Sequence, residues 1–206
     1  MHRFSFLPFA LLALPFGQVA AQSVAPRDSA AAAFVQGMMH HHAQAIVMSQ
    51  LAQSHTWRAD LRNAARKIIV SQRDEIAMMR RWLEKHGRAV PAIDTAPPDT
   101  GEAMAGMQMA GGDHAAHPMA MMPGMLTHEQ LHQLARARGA KFDTLYLGDM
   151  IAHHRGALSM VAKLFAIPGA TDDSEIYQLA SEIDADQNAE IARMQSMQPH
   201  PPKKRK

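Results

Sequence analysis

The chain has 206 residues, of which 47% are hydrophobic, enough for one compact domain or two small ones. It contains 17 Met and 13 His but no Cys, which excludes disulfides, thiolate metal sites, Cys nucleophiles and iron–sulfur clusters. The formal charge of +2 depends on Arg3 and the basic run 203–206; the remainder is net acidic, so we expect no nucleic-acid binding.

Residues 1–21 have the layout of a secretory signal peptide: Arg3 near the start, an apolar run over 4–16, and small residues at the end. A membrane anchor needs about 20 continuous apolar residues. This run is shorter and contains Pro8 and Pro15. We therefore expect a secreted or periplasmic protein with no stable membrane insertion once the signal peptide is removed.

Two helices are predicted next. Asp28 or Ser29 can cap a first helix that runs to about Ser54, and Thr56 can cap a second helix that stops at Gly87. A stretch rich in Pro, Gly, Met and His follows, without the periodicity of a core-forming element, which predicts a flexible linker.

Helices resume at Thr127, which forms a capping-box pattern with Gln130 and begins a short helix ending near Gly139. A long helix is predicted over 141–166, and a last one from residues 172–174 to just before Pro199. The predicted organisation is a signal peptide (1–21), a first helix hairpin (22–87), a linker (88–126), a second helix hairpin (127–198) and a basic tail (199–206).

The two hairpins are sequence repeats. Residues 38–48 align with 150–160, and Met, both His, Ala and the final Met coincide. Residues 72–79 align with 187–194, and Gln, Glu, Ile, Ala and Met coincide. One hairpin cannot bury its own apolar face, but two can form a four-helix bundle, which predicts an all-α fold.

The repeated residues share the face of each helix that is directed toward the core. Imidazole binds Cu, Zn, Ni and Fe, and a thioether favours Cu(I), so this face predicts a metal site, with copper preferred. A purely structural interpretation is the alternative: His–Glu contacts set the register of the bundle helices, and the Met side chains fill the core. The candidate ligands are Met38, His41, His42, Met48, Glu75, Met79, Met150, His153, His154, Met160, Glu190 and Met194.

The linker contributes further donors. Its thioethers are closely spaced and lack an amphipathic period, so they are suited to collecting Cu(I); the alternative is a low-complexity tether in which Met is incidental. The linker candidates are Met104, Met107, Met109, His114, His117, Met119, Met121, Met122 and Met125.

Phe34-Val35-Gln36-Gly37-Met38-Met39-His40-His41-His42-Ala43-Gln44-Ala45 resembles the signature of the bacterial family called domain of unknown function 305. So do residues 142–157 and both Gln-x-x-Glu-Ile-x-x-Met segments, as if the family unit occurred in two tandem copies. The resemblance implies a ferritin-like four-helix bundle, export and, for some members, copper binding and copper tolerance. His40 has no counterpart in the second repeat, where Ala152 stands, and the linker is not part of the signature.

The leading hypothesis is an exported copper-binding protein without catalytic residues, which sequesters Cu(I) and/or Cu(II) or transfers it. Another transition metal stays open as cargo, and a copper exporter or a periplasmic copper oxidase is the expected protein partner. Two alternatives remain, a di-metal iron oxidoreductase and a bundle without metal. The first needs Glu-x-x-His spacing, and neither Glu75 nor Glu190 has a His three residues on.

Overall fold

The computed structural model describes residues 25–96 and 122–198, and within these ranges the chain is helical with no strands. Neighbouring helices of the bundle are α1 and α2, α4 and α5, α1 and α4, and α2 and α5, while α3 touches α1 and α4. The predicted all-α four-helix bundle of two hairpins is confirmed. The helices are α1 (Ala25–His55), α2 (Ala59–Lys85), α3 (His128–Arg136), α4 (Gly139–Phe165) and α5 (Ser174–Met197).

Several helix ends follow the sequence signals. Gly87 has a φ of +61°, the left-handed conformation that ends α2. Thr127 and Gln130 form the predicted capping box of α3, and Asp173 caps α5 by accepting the N–H of Glu175 at 2.9 Å.

Two local predictions are wrong. The first helix begins at Ala25, so Asp28 and Ser29 lie inside it and are not its N-cap. Thr56 does not cap α2, because its hydroxyl accepts the N–H of Arg58 at 3.0 Å within the turn, and the helix begins only at Ala59.

The short helix α3 ends near Gly139, as predicted. Gly139 itself begins α4 with a φ of +57°, and a Cβ there would lie 2.5 Å from the Trp57 ring, which leaves no room for a side chain.

The core consists of two apolar clusters separated by buried polar residues. One cluster contains Met38 and Met79, and the other contains Met48, Met150 and Met194. All the intervening side chains are buried except that of Glu190, which is partly exposed. We call these residues the polar layer: His41, His42, Gln72, Glu75, His153, His154, Gln187 and Glu190.

The ends of the predicted linker pack on the bundle. Val90 and Ile93 contact the first apolar cluster, and Met125 and Leu126 are buried. No helix in the described part of the chain has an apolar stretch long enough to cross a bilayer.

Candidate metal centre

Four imidazoles occupy the centre of the bundle, His41 and His42 from α1 and His153 and His154 from α4. None is more than 1% exposed. Consecutive residues of a helix point about 100° apart. Accordingly, His41 and His153 meet between α1 and α4, with ring centroids 3.8 Å apart, while His42 and His154 each turn toward the partner helix of their own hairpin.

Each hairpin contains one His–Glu hydrogen bond, which is buried in the first hairpin and partly buried in the second. Nε2 of His42 donates to Oε2 of Glu75, and Nε2 of His154 donates to Oε2 of Glu190 at 2.6 Å. A carboxylate in this position selects the tautomer whose other nitrogen carries the lone pair. In both rings that nitrogen, Nδ1, is buried and has no hydrogen-bond partner. The same arrangement orients the histidines of metal sites.

The ring of His153 is the least satisfied group of the polar layer. Neither of its nitrogens reaches a hydrogen-bond partner in normal geometry, whereas Nε2 of His41 donates to the carbonyl of Pro123 at 3.0 Å. Burial, and then the neighbouring imidazoles, lower the pKa of His153 well below its usual value; the nearby main chain of His41 offsets this only in part. Since a neutral imidazole always carries one N–H, this ring leaves a buried donor unpaired.

His41 is also held in the neutral form. Burial is the largest cause, and the adjacent His42 the next, of a pKa lowered to about 3. Neutral imidazole is the form that binds metal ions. The two rings at the α1–α4 contact are therefore in the ligating protonation state at physiological pH.

The two His–Glu pairs have different surroundings. The Glu75 side chain is 3% exposed, while that of Glu190 is 15% exposed and borders a cleft of about 190 Å³ between α2 and α5. The hydroxyl of Ser71 donates to Oε1 of Glu190 at 3.1 Å. Burial, and then Glu75 and Glu190, raise the pKa of Asp186 at this cleft. The second pair is therefore the more accessible one.

The predicted thioether ligands lie on both sides of the polar layer. Met38 and Met79 belong to one apolar cluster, Met48, Met150 and Met194 to the other, and all five are buried. They are core residues of the two clusters between which the layer lies.

Two further thioethers lie beside Gly37 of α1. A Cβ placed on Gly37 would lie 3.5 Å from the terminal methyl of Met160 and 3.6 Å from the sulfur of Met122. Gly37 is one turn before His41, which places these two Met close to the layer. Met125, another predicted linker ligand, is buried. The remaining linker candidates lie outside the described residues: Met104, Met107, Met109, His114, His117, Met119 and Met121.

Two side-chain amides and one main-chain carbonyl also belong to this region, although the sequence did not predict them as part of the site. The amides of Gln72 and Gln187 are buried, and their Nε2 atoms have no partner. Pro123 contributes a carbonyl, which no side-chain motif can reveal. Within residues 25–96 and 122–198, no three His, Asp or Glu side chains converge into a metal site of their own.

The fold and the layer define a class of protein, a helical bundle with a buried imidazole and carboxylate layer flanked by thioethers. The chain belongs to the family described as Domain of unknown function (DUF305), whose model matches residues 31–198. One match spans both hairpins, so the presence of two tandem copies stays a prediction.

Solved structures of the family share this fold. A DUF305 fragment from Deinococcus radiodurans is 25% identical, with a TM-score of 0.62 over 82% of this chain and 94% of that one. CopM in the Cu(I)-bound form is 26% identical, with a TM-score of 0.57. CopM in the Cu(II)-bound form is 29% identical, with a TM-score of 0.59; both cover 81% of this chain and 94% of CopM. None of the curated proteins is significantly similar to this chain.

Proposed function

We propose that this protein binds copper in the polar layer and sequesters or transfers it after export, contributing to copper tolerance. The observation that carries the proposal is the set of buried imidazole nitrogens without partners, both of His153 and Nδ1 of His42 and His154. Leaving a buried polar atom unpaired costs about 1–3 kcal/mol, and a bound metal ion supplies the missing partner.

The donor chemistry favours copper over other metals. Cu(I) accepts two or three imidazole or thioether donors, so it does not need three His, Asp or Glu side chains at one point. The imidazoles and carboxylates of the layer are suited to Cu(II) as well. CopM, a structural neighbour, has been solved in Cu(I)-bound, Cu(II)-bound and Ag-bound forms. The proposed ligands are the four imidazoles with the adjoining Met, and the linker Met bind additional Cu(I).

The di-metal iron oxidoreductase is the weaker alternative. Such centres use a Glu from each of four helices, whereas this layer contains only Glu75 and Glu190, and each accepts a hydrogen bond from a His. A purely structural bundle leaves the unpaired nitrogens unexplained. We therefore assign no catalytic role, and we propose export through residues 1–21 and delivery to a copper exporter or a periplasmic copper oxidase.

Metal loading tests the proposal. The mature chain, residues 22–206, is loaded separately with Cu(I), Cu(II), Zn(II) and Fe(II), and the metal retained after desalting against a chelator is measured. His41→Ala combined with His153→Ala removes the central rings. His128→Ala combined with His132→Ala is the matched control, because these two rings are neighbours on α3, outside the layer.

We expect the wild type and the control to retain copper in preference to zinc and iron, and the layer variant to lose bound copper. Unchanged copper retention in a folded layer variant contradicts the proposal. Retention of iron alone, with oxygen-dependent turnover, supports the oxidoreductase in its place.

A further inference from the structure

Residues 122–126, the last part of the predicted linker, form a segment that lies on the polar layer. The carbonyl of Pro123 accepts the hydrogen bond from His41. Gly124, with a φ of +77°, lies so close to α4 that a Cβ would come within 2.5 Å of the Ala152 carbonyl oxygen and 2.9 Å of the His153 Cα. The segment therefore covers the His41–His153 contact.

Two positions that are equivalent in the sequence repeat hold this segment in place. Gln44 on α1 accepts the N–H of Leu126 at 2.7 Å and donates to its carbonyl at 3.0 Å. Its counterpart on α4 is Gly156, where a Cβ would lie 1.9 Å from the carbonyl oxygen of Pro123. The Gln44 amide thus anchors the segment at Leu126. The absence of a side chain at Gly156 leaves room for the Pro123 carbonyl at the other end.

The hydrogen bond to Pro123 determines which nitrogen of His41 carries the proton. A main-chain carbonyl only accepts, so Nε2 of His41 is the protonated nitrogen and Nδ1 has the lone pair. Glu75 and Glu190 select the same tautomer in His42 and His154. Three of the four imidazoles therefore carry Nε2–H, and each is oriented by an oxygen acceptor.

We propose that the Pro123 carbonyl is a positioning group of the copper site, which holds His41 in the Nε2–H tautomer so that Nδ1 binds the metal. Gly156 and Gln44 fix the carbonyl, so they are positioning residues although neither touches the metal. This inference rests on the proposed function. The C-terminal end of the linker would then orient a ligand of the buried site, a role distinct from metal binding by the linker thioethers.

Two glycine substitutions on α4 separate this role from a general effect on the helix. Gly156→Ala pushes the carbonyl away from His41. Gly148→Ala is the matched control, because a Cβ at that position meets nothing within 4 Å. Both are made in the mature chain, and circular dichroism verifies helix content.

Nitrogen NMR of the metal-free proteins reports the tautomer of His41, and competition with a chelator reports copper affinity. We expect Nε2–H in the wild type and Gly148→Ala, and loss of that preference in Gly156→Ala. Changing a group that orients a ligand weakens metal binding about 10–100-fold. We expect a loss of at least about tenfold in Gly156→Ala and an unchanged affinity in Gly148→Ala.

Gln44→Ala is a second variant, which frees Leu126 without a steric clash and is expected to act in the same direction. An Nδ1–H tautomer of His41 in the wild type overturns the inference. Copper affinities of Gly156→Ala and Gln44→Ala equal to that of Gly148→Ala also overturn it, while the proposed function stands. A wild-type protein that retains no copper contradicts the proposed function and this inference with it.

Discussion

The rings of His41 and His153 lie against each other, with centroids 3.8 Å apart and planes inclined by 40°. Each ring comes from a different hairpin, so this contact joins the two repeats at the centre of the bundle. Two imidazolium ions at this distance would repel each other strongly, because both rings are buried. The contact therefore excludes a state in which both rings are protonated. Burial lowers the pKa of each ring as well, which favours the neutral form that also binds metal.

Stability of the metal-free protein should fall in acid. The pKa of His41 is lowered to about 3 and that of His153 lies well below its usual value, whereas unfolded histidines titrate near pH 6.5. Below about pH 6.5 the unfolded state binds more protons, so the free energy of unfolding decreases as the pH falls toward 3. Each ring contributes a slope of up to about 1.4 kcal/mol per pH unit.

Urea unfolding of the metal-free wild type across this pH range measures the slope. His153→Gln removes one titrating ring and should make it shallower, while His128→Gln on α3 should leave it unchanged. If the slope is the same in all three proteins, the lowered pKa of His153 does not contribute to the acid loss of stability.

The carboxylates of Glu75 and Glu190 should differ in their contribution to stability. Glu75→Ala leaves His42 without its acceptor in a fully buried position and should destabilise the metal-free protein by about 3 kcal/mol. Glu190→Ala leaves a position that borders the cleft, where water can replace the carboxylate, and should cost about 1 kcal/mol. Chemical denaturation gives both values, with the exposed Glu129→Ala as control. A reversed order contradicts the difference in accessibility.

Replacing the layer glutamines should stabilise the metal-free bundle. Gln72 and Gln187 bury an amide nitrogen without a partner, and Met has a similar shape without that donor. We expect Gln72→Met and Gln187→Met each to raise the free energy of unfolding by about 1 kcal/mol. Gln178→Met on the surface of α5 is the control, and equilibrium unfolding is the measurement. Destabilisation by both layer variants indicates that these amides have partners in solution.

Shortening the linker should distinguish its thioethers from the segment that covers the layer. Deletion of residues 104–121 leaves 122–126 and should lower the number of bound copper ions while keeping the tightest one. Deletion of 104–126 also removes the bonds of Gln44 and His41, and should weaken the remaining ion and lower the melting temperature. Copper retention and thermal unfolding are measured for both. Loss of all copper in the shorter deletion contradicts a site in the bundle.

The sequence by itself determined the helical bundle, because the apolar residues recur at helical spacing and the two hairpins repeat each other. It also indicated the histidines and glutamates of the polar layer, although not its two glutamines. A Glu on a helix face that is otherwise apolar needs a hydrogen-bond partner in the core. That partner is His42 in the first hairpin and His154 in the second. These conclusions depend on periodicity and on the cost of burying charge, which are local properties of the chain.

Only the tertiary structure decided how the layer is closed. The contact of His41 with His153 depends on how the two hairpins pack, which no periodicity within one helix specifies. The Pro123 carbonyl reaches His41 across 82 residues of sequence, and a main-chain group leaves no signal in a motif. From the sequence, Gly156 is an ordinary small residue of α4. Only the position of residues 122–126 shows that a side chain there would collide with the Pro123 carbonyl. Such contacts arise from loop closure and packing between distant elements, so they are determined by the folded chain as a whole.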